Sequence, residues 1–352
     1  MMLMTGKTQR YYLRLKCVGS LIGSVTLSLL LGCGSEQPLT DTKTSAQWYQ
    51  EGVSRVYERK AALQSAYAKN HKAKNVIFIL GDGMGVSTLT AARIFVGQQQ
   101  GLMGEESWLS FEQFPYSALV KTYNVDLQTP DSAGTMSALM TGVKTNEGII
   151  SLPDSAQRGE CHKTDKSMQE IPTLMDHAKA QGKSTAMVTT ARVTHATPAT
   201  TYAHSSDRNW ESDDTLPQAA KDLGCQDIAR QWVDAKPPAL DILLGGGRRH
   251  FLPKEQGGKR LDQRDLIQDW QKKGHYVSTL QELNMLVEKS ADMSPQSIKP
   301  WLGLFSNSHM EYVHQRPAEQ PSLQQMTAAA LNRLKRNSNG YALVIEAGRI
   351  DH

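Results

Sequence analysis

The sequence lacks the features of several protein classes. It contains no low-complexity tract and no convincing internal repeat, which argues against disordered and solenoid proteins. It also lacks a comfortable membrane span, because the apolar run Leu21 to Leu31 is too short to cross a bilayer as a helix. With 352 residues, of which 39% are hydrophobic and 21% are charged, the chain is long enough for one large globular domain or two ordinary ones.

Beyond position 32 the sequence has no excess of basic residues over acidic ones. The first 32 residues contain Lys7, Arg10, Arg14 and Lys16 and no acidic residue. Without these four, the 39 Lys and Arg fall to 35, which balance the 35 Asp and Glu and leave a formal charge of zero. The basic balance therefore belongs to the N-terminal segment, and the sequence gives no support for nucleic-acid binding.

Residues 1–32 have the pattern of a signal peptide, with a basic stretch, an apolar run and the small Gly32 directly before Cys33. This order resembles the lipobox of bacterial lipoproteins, in which cleavage leaves a lipidated cysteine at the new N-terminus. We therefore expect an exported protein, lipid-anchored through Cys33 to the bacterial cell envelope (outer membrane or periplasmic face). Residues 33–45 are polar and predict a tether. An uncleaved anchor, or an ordinary signal peptide with a chance cysteine, is the alternative.

Cysteine is scarce, and after cleavage only Cys33, Cys161 and Cys225 would remain. If Cys33 carries lipid, the other two form an even pair in an oxidising compartment. A bridge between them would close a loop of about 65 residues and contribute roughly 4 kcal/mol in the chain-entropy model. Two separate buried thiols are the alternative.

Short apolar runs alternate with helical patterns, which predicts an α/β sandwich with a largely parallel central sheet. Strands are predicted at 75–80, 117–122, 184–189, 241–244 and 341–345. Helices are predicted at 46–70, 86–97, 133–141, 168–181, 261–273 and 322–336. Ligands bind outside the carboxyl ends of the strands in such sheets, and Asp82, His195 and Glu346 all follow or end predicted strands. We expect these three side chains to converge on one rim of the sheet.

The stretch Thr129-Pro-Asp-Ser-Ala-Gly-Thr135 places Ser132 between a turn and a predicted helix that ends at Gly142. A helix N-terminus offers free backbone N–H groups and a partial positive charge, which favour an alkoxide and an approaching phosphate. Ser132 is therefore a candidate nucleophile. An ordinary N-cap role for Asp131 or Ser132 is the alternative.

Acidic residues follow the first and last predicted strands. Asp82 lies in Gly81-Asp-Gly-Met-Gly85, where a dinucleotide-binding loop would require glycine at the position of Val86. A carboxylate held in a glycine turn suits a hard cation, and so do Glu346 and Asp351 near the end of the chain. Ordinary turn and cap roles are the alternative for all three acidic residues.

Two further polar residues are candidates for the site. His195 lies with Thr197 in a loop that ends at Pro198, where a histidine can be a ligand, a base or a satisfied loop residue. Arg208 carries a planar guanidinium that matches two phosphate oxygens, although an exposed structural ion pair is the alternative.

Together these motifs resemble the alkaline phosphatases, and the animal-type branch more than the best-known enterobacterial form. The matching segments, in chain order, are 75–87, 129–135, 142–146, 192–198, 202–204, 224–229, 244–248 and 346–352. The resemblance runs from about residue 45 to the last residue. It implies an alkaline-phosphatase-like three-layer α/β sandwich with a largely parallel central sheet, formed by a catalytic domain over 46–352.

The resemblance also implies a chemistry and its residues. Phosphomonoesters would be hydrolysed through a phosphoserine on Ser132, with Arg208 holding the phosphate and Asp131 orienting Arg208. Each subunit would bind two zinc ions and one magnesium ion, with metal ligands among Asp82, Ser132, Thr197, Glu346 and Asp351. His195 would lie beside the magnesium without binding it directly. Cys161 and Cys225 resemble a disulfide of the animal enzymes, and we also expect a homodimer that acts on small phosphomonoesters.

The chain departs from the family at its end. Alkaline phosphatases continue beyond the position of His352 with histidines that complete both zinc sites, so we interpret this chain as truncated, with the sandwich incomplete at the C-terminal end and the activity of the fragment impaired. A related metal-dependent phosphodiesterase or sulfatase is one alternative function. A non-catalytic surface lipoprotein that binds phosphate or metal is another.

Overall fold

The centre of the fold is a single six-stranded sheet, seen in a computed structural model that describes residues 44–68, 72–161, 163, 170–293 and 297–352. The strand order is β1-β6-β2-β3-β5-β4, and every neighbouring pair is parallel. The strands are β1 (Val76–Gly81), β2 (Ser184–Arg192), β3 (Ile242–Gly246), β4 (His275–Val277), β5 (Trp301–Leu304) and β6 (Tyr341–Ala347). The predicted α/β class with a parallel central sheet is confirmed.

Helices cover both faces of this sheet. Those found in the described residues are α1 (Ser45–Ala68), α2 (Val86–Gln99), α3 (Ser132–Thr141), α4 (Leu174–Ala180), α5 (Ala196–Ala199), α6 (Gln218–Asp222), α7 (Ile228–Asp234), α8 (Leu266–Gln271), α9 (Leu280–Ala291) and α10 (Leu323–Leu334). Because side chains alternate along a strand, Ala342 and Val344 of β6 pack in one core with α3, α4, α7 and α8. Leu343 and Ile345 pack in the other core with α9 and α10, which gives three layers.

The strand predicted at 117–122 is wrong. This segment lies outside the sheet, and its Leu119 and Val120 are exposed to solvent. A strand needs a hydrogen-bonded neighbour, and in the described residues β1 pairs only with β6. An apolar run alone does not specify such a neighbour. Conversely, β4 and β5 were not predicted, because they are short and β5 contains Gly303.

Two predicted helices are shorter in the structure. The helices predicted at 168–181 and 261–273 correspond to α4 and α8, whose first turns are capped by the side chains of Thr173 and Asp265. Residues 168 and 169 of the first prediction lie outside the described residues. The sequence analysis also missed α9, although a capping box marks its start.

Cys161 and Cys225 are joined by a disulfide, with their Cα atoms 5.9 Å apart. The bridge lies in a small buried cluster with Trp210 and Leu216. Trp210 follows Arg208 by two positions, so the disulfide packs against the loop that carries this arginine.

The N-terminal predictions fall on residues that the structure does not describe. The signal peptide over 1–32, the lipidated Cys33 and nearly all of the tether over 33–45 lie outside the described residues. Within the described part of the chain, none of the helices has both the length and the apolar character that a bilayer span requires.

Candidate active site

Ser132 is the first residue of α3, and its hydroxyl is not used for capping. The cap is Asp131, whose carboxylate accepts hydrogen bonds from the backbone N–H groups of Ala133 at 3.1 Å and Gly134 at 2.9 Å. The Ser132 Oγ instead donates to Asp82, 2.9 Å from Oδ1 and 3.1 Å from Oδ2. The predicted helix is therefore present, and its hydroxyl faces the strand-end carboxylate rather than its own backbone.

Asp82 follows β1 in a turn that brings Asp351 close. Gly83 has φ of +65°, and a Cβ there would lie 2.4 Å from Oδ1 of Asp351, so this approach requires glycine. Burial raises the pKa of Asp82, and the charge of Asp351 adds to this effect. Two carboxylates thus share one corner of the site, a position that favours either a proton or a cation.

Glu346 lies inside β6, between β1 and β2, and is fully buried. Thr189 of β2 donates its hydroxyl proton to Oε2, whereas Oε1 has no hydrogen-bond partner among the described residues. Burial raises the pKa of Glu346 to about 7, although Thr189 and, more weakly, Thr197 act to lower it. A buried carboxyl with one bare oxygen requires a ligand to compensate its desolvation.

His195 lies between Glu346 and Arg208. Its Nε2 is 3.1 Å from Nη2 of Arg208, which donates to it, so the imidazole carries its proton on Nδ1. That Nδ1 is buried without a partner in the part of the chain described. Burial and the charges of Arg208 and Arg192 lower the pKa of His195 to about 3, so the ring is neutral at pH 7.

Arg208 is oriented by a carboxylate as well as by this imidazole. Its Nη1 donates to Oδ2 of Asp131 at 2.8 Å, and its backbone N–H donates to the carbonyl of Gly148 at 2.8 Å. Burial acts to raise the pKa of Asp131, but the bonds from Gly134 and Arg208 outweigh it and the pKa is lowered. Asp131 therefore stays ionised and joins the guanidinium to the start of α3.

The arrangement fits a divalent cation. One ligand atom from each of Asp82, His195 and Glu346 lies within 4.8 Å of the other two. Two carboxyls with raised pKa values and an unpartnered buried oxygen indicate missing positive charge. The carboxylate oxygens suit magnesium, and His195, whose Nε2 already accepts a hydrogen bond from Arg208, lies beside them.

The carboxyl ends of β1, β2 and β6 and the N-terminus of α3 bring together Asp82, Ser132, His195, Arg208 and Glu346, with Asp131 and Asp351 beside them. Thr197 lies in α5, close enough to Glu346 to influence its pKa. The sequence analysis missed His309 and His352, whose ring nitrogens lie within 4.8 Å of one another and of a His195 nitrogen. His309 follows β5, a strand that was not predicted, so its position on the rim was hidden. The adjacent Asp351 was the available signal for His352.

The raised pKa of Glu346 predicts that, without metal, the free energy of unfolding of a Glu346→Gln variant differs from that of the parent by an amount that depends on pH. The folded state holds the proton more tightly than the unfolded chain, whose glutamate has a pKa near 4.5. The stability gained from Glu346 is therefore present below about pH 4.5 and is lost as pH rises through about 7. Relative to the parent, Glu346→Gln should gain about 3 kcal/mol across this window, at about 1.4 kcal/mol per pKa unit.

Urea denaturation of both chelator-treated proteins at several pH values measures this difference. His195, His309 and His250 have lowered pKa values and act in the opposite direction. They are common to both proteins and cancel in the comparison. A stability difference that does not change between pH 4.5 and 8 would contradict the assignment.

Known protein families that resemble this chain are the alkaline phosphatases. The alkaline phosphatase family model matches residues 73–352. The chain is 44% identical over 309 residues to the tissue-nonspecific alkaline phosphatase of Gallus gallus, covering 83% of this chain and 58% of the relative. It is 40% identical over 323 residues to an alkaline phosphatase of Gadus morhua, covering 87% and 65%. The chain thus spans about six-tenths of the length of these relatives.

Solved structures give a similar result. An alkaline phosphatase from Thermus thermophilus superposes with a TM-score of 0.61 at 28% identity, covering 80% of this chain and 51% of that chain. A cold-active alkaline phosphatase from a Shewanella species superposes with a TM-score of 0.55 at 26% identity, covering 77% and 56%. In both cases the matched region includes most of this chain.

Proposed function

Because this chain belongs to the alkaline phosphatase family, we propose that it hydrolyses phosphomonoesters through a phosphoserine formed on Ser132. The observation that carries the proposal is the Ser132 hydroxyl at the N-terminus of α3, 2.9 Å from Asp82. Arg208 is bound to the neighbouring Asp131 at 2.8 Å. A hydroxyl, a helix N-terminus and a guanidinium at one point suit attack on a phosphoryl group.

The reaction proceeds in two displacements. Ser132 Oγ bonds to phosphorus as the bond from phosphorus to the alcohol oxygen breaks, and the departing alkoxide takes a proton from solvent. Asp82, which accepts the hydrogen bond of the serine hydroxyl, takes this proton during the attack and returns it to Oγ when the phosphoserine breaks down, while the attacking water gives a proton to solvent. Water then attacks the phosphoserine, which releases inorganic phosphate and restores the hydroxyl. Arg208 donates to the phosphoryl oxygens in both steps and neutralises their charge.

We propose that two zinc ions and one magnesium ion bind at this rim, with the residues of this chain supplying only part of the zinc ligands. Their protein ligands would come from Asp82, Ser132, Thr197, Glu346 and Asp351. His195 would lie beside the magnesium. When bound, such cations lower the pKa of a hydroxyl and neutralise phosphoryl charge. The raised pKa values of Asp82 and Glu346 and the bare oxygen of Glu346 support these assignments.

Parallel assays with zinc and magnesium at alkaline pH test the function. p-Nitrophenyl phosphate should be hydrolysed with a kcat/KM at least about 100-fold above those of bis-p-nitrophenyl phosphate and p-nitrophenyl sulfate, because a site with fixed donors rejects substrates that leave them unpaired. Faster cleavage of the diester or the sulfate would favour a related phosphodiesterase or sulfatase. Phosphate binding without any turnover would favour a non-catalytic binding protein.

We further propose that the protein is exported and anchored through a lipid on Cys33. The support is the order of basic, apolar and small residues before this cysteine. Cys33→Ser should move the protein from the membrane fraction to the soluble fraction, and its retention in membranes would contradict the anchor. The family resemblance supports a homodimer, which light scattering of the purified protein would detect or exclude.

A further inference from the structure

Glu211 connects the loop that carries Arg208 to the loop that carries His195. It lies three positions after Arg208 and accepts hydrogen bonds from Arg192, with Nε 2.8 Å from Oε2 and Nη2 2.6 Å from Oε1. Its Oε2 also accepts a hydrogen bond from the hydroxyl of Thr194 at 2.6 Å. Thr194 directly precedes His195, so the carboxylate of Glu211 links the loop of Arg208 to the loop of His195.

This connection is charged and largely shielded from solvent. The side chain of Glu211 is 12% exposed and that of Arg192 is 13% exposed. Burial acts to raise the pKa of Glu211, but the bonds from Arg192 and the influence of His250 lower it to about 2. Glu211 is therefore ionised at every pH at which the protein would work, and Arg192 has its counter-charge inside the fold.

Arg192 repeats the arrangement of Arg208. Arg208 lies between Asp131 and an imidazole nitrogen of His195. Arg192 lies between Glu211 and an imidazole nitrogen of His309. The two imidazoles meet edge to face with centroids 5.3 Å apart. The pair formed by Arg192 and Glu211 thus supports the group that orients the phosphate-binding arginine, without itself lying in the proposed reaction path.

We propose that Glu211 is a positioning residue, which fixes the guanidinium of Arg208 and the imidazole of His195 in the geometry that binds phosphate. Without its charge, the largely buried guanidinium of Arg192 would lack its counter-charge, and the loops at 192–195 and 208–211 would lose their shared anchor. A displacement of about 1 Å at a group that positions substrate costs on the order of 100-fold. The inference rests on the proposed function only for its effect on turnover, since phosphate binding can be measured directly.

A double-mutant cycle on the full chain tests the inference. Titration calorimetry with inorganic phosphate, in the presence of zinc and magnesium, compares the parent, Glu211→Gln, Arg208→Ala and the double variant. Glu211→Gln should weaken phosphate binding roughly 10- to 100-fold in the parent. In the Arg208→Ala background it should weaken binding by less than about threefold, because the group that it positions is already gone.

Asp234→Asn is the matched control. Asp234 accepts hydrogen bonds from Arg230 and Arg264 away from the site, so its amide should leave phosphate binding within about twofold of the parent. If circular dichroism shows that Glu211→Gln does not fold, Glu211→Asp replaces it in the same cycle. Glu211→Asp should weaken phosphate binding less than Glu211→Gln would, but again more in the parent than in the Arg208→Ala background.

The outcomes separate the inference from the proposed function. Equal weakening by the Glu211 change in both backgrounds, or no weakening, would overturn the positioning role. A parent that binds phosphate but hydrolyses no ester would overturn the proposed function and leave the cycle readable. A parent that binds no phosphate would contradict both.

Discussion

Replacing Ser132 with alanine should abolish phosphomonoester turnover, with a loss in kcat of at least about 10⁴-fold. The hydroxyl is the only part of this residue that the change removes, and it donates to Asp82 at 2.9 Å. Loss of the nucleophilic serine costs a serine protease on the order of 10⁶-fold in kcat, which sets the scale. Steady-state hydrolysis of p-nitrophenyl phosphate at saturating zinc and magnesium measures the effect.

Ser87→Ala is the control for this variant. Ser87 lies exposed on α2, close in sequence to the Asp82 turn, and we expect its removal to change kcat less than about twofold. Phosphate binding by Ser132→Ala should survive, because Arg208 and its partners Asp131 and His195 are unchanged. Turnover by Ser132→Ala above a tenth of the parent rate would mean that another group attacks phosphorus.

Asp82→Asn should have the second largest effect, because Asp82 contacts Ser132 and also contributes to the candidate cation cluster. Mutating a residue that only orients a metal ligand already lowers metal affinity about 10- to 100-fold. Loss of the charge on a ligand itself should therefore weaken metal binding by at least about 100-fold. Calorimetric titration of chelator-treated protein with magnesium and with zinc measures this affinity directly, independently of turnover.

Asp154→Asn serves as the comparison for the loss of charge alone. Asp154 is exposed on a turn, and its amide should leave both metal affinities unchanged. If Asp82→Asn bound magnesium and zinc as tightly as the parent, the carboxylates at the ends of β1 and β6 would not form the metal site.

The parts of the site that the sequence predicted depend on local rules. Gly81 and Gly83 around Asp82 mark a turn after a buried strand, and Asp131 marks the start of α3. Because the carboxyl ends of parallel strands share one edge, the position of Glu346 in β6 was enough to place it beside Asp82. The sandwich class followed from the same alternation of buried strands and helices.

The parts of the fold and of the site that the sequence did not predict depend on contacts formed only in the tertiary structure. The apolar segment 117–122 has the composition of a strand, but nothing in the sequence shows that it lacks a neighbour in the described fold. Glu211 and Arg192 are charged residues 19 positions apart, and only the fold brings their side chains together. His309 was hidden for a similar reason, since β5 had to be placed before the loop after it could be assigned to the rim.

Trapping of the covalent intermediate tests the central assignment most directly. The protein is incubated with a phosphomonoester, quenched in acid and digested with trypsin, which should release residues 122–144 as one peptide. Fragmentation by mass spectrometry then distinguishes Ser132 from Ser137 within that peptide. We predict a phosphoryl group on Ser132. A phosphoryl group on any other residue, or none at all in protein that hydrolyses the ester, would contradict the account.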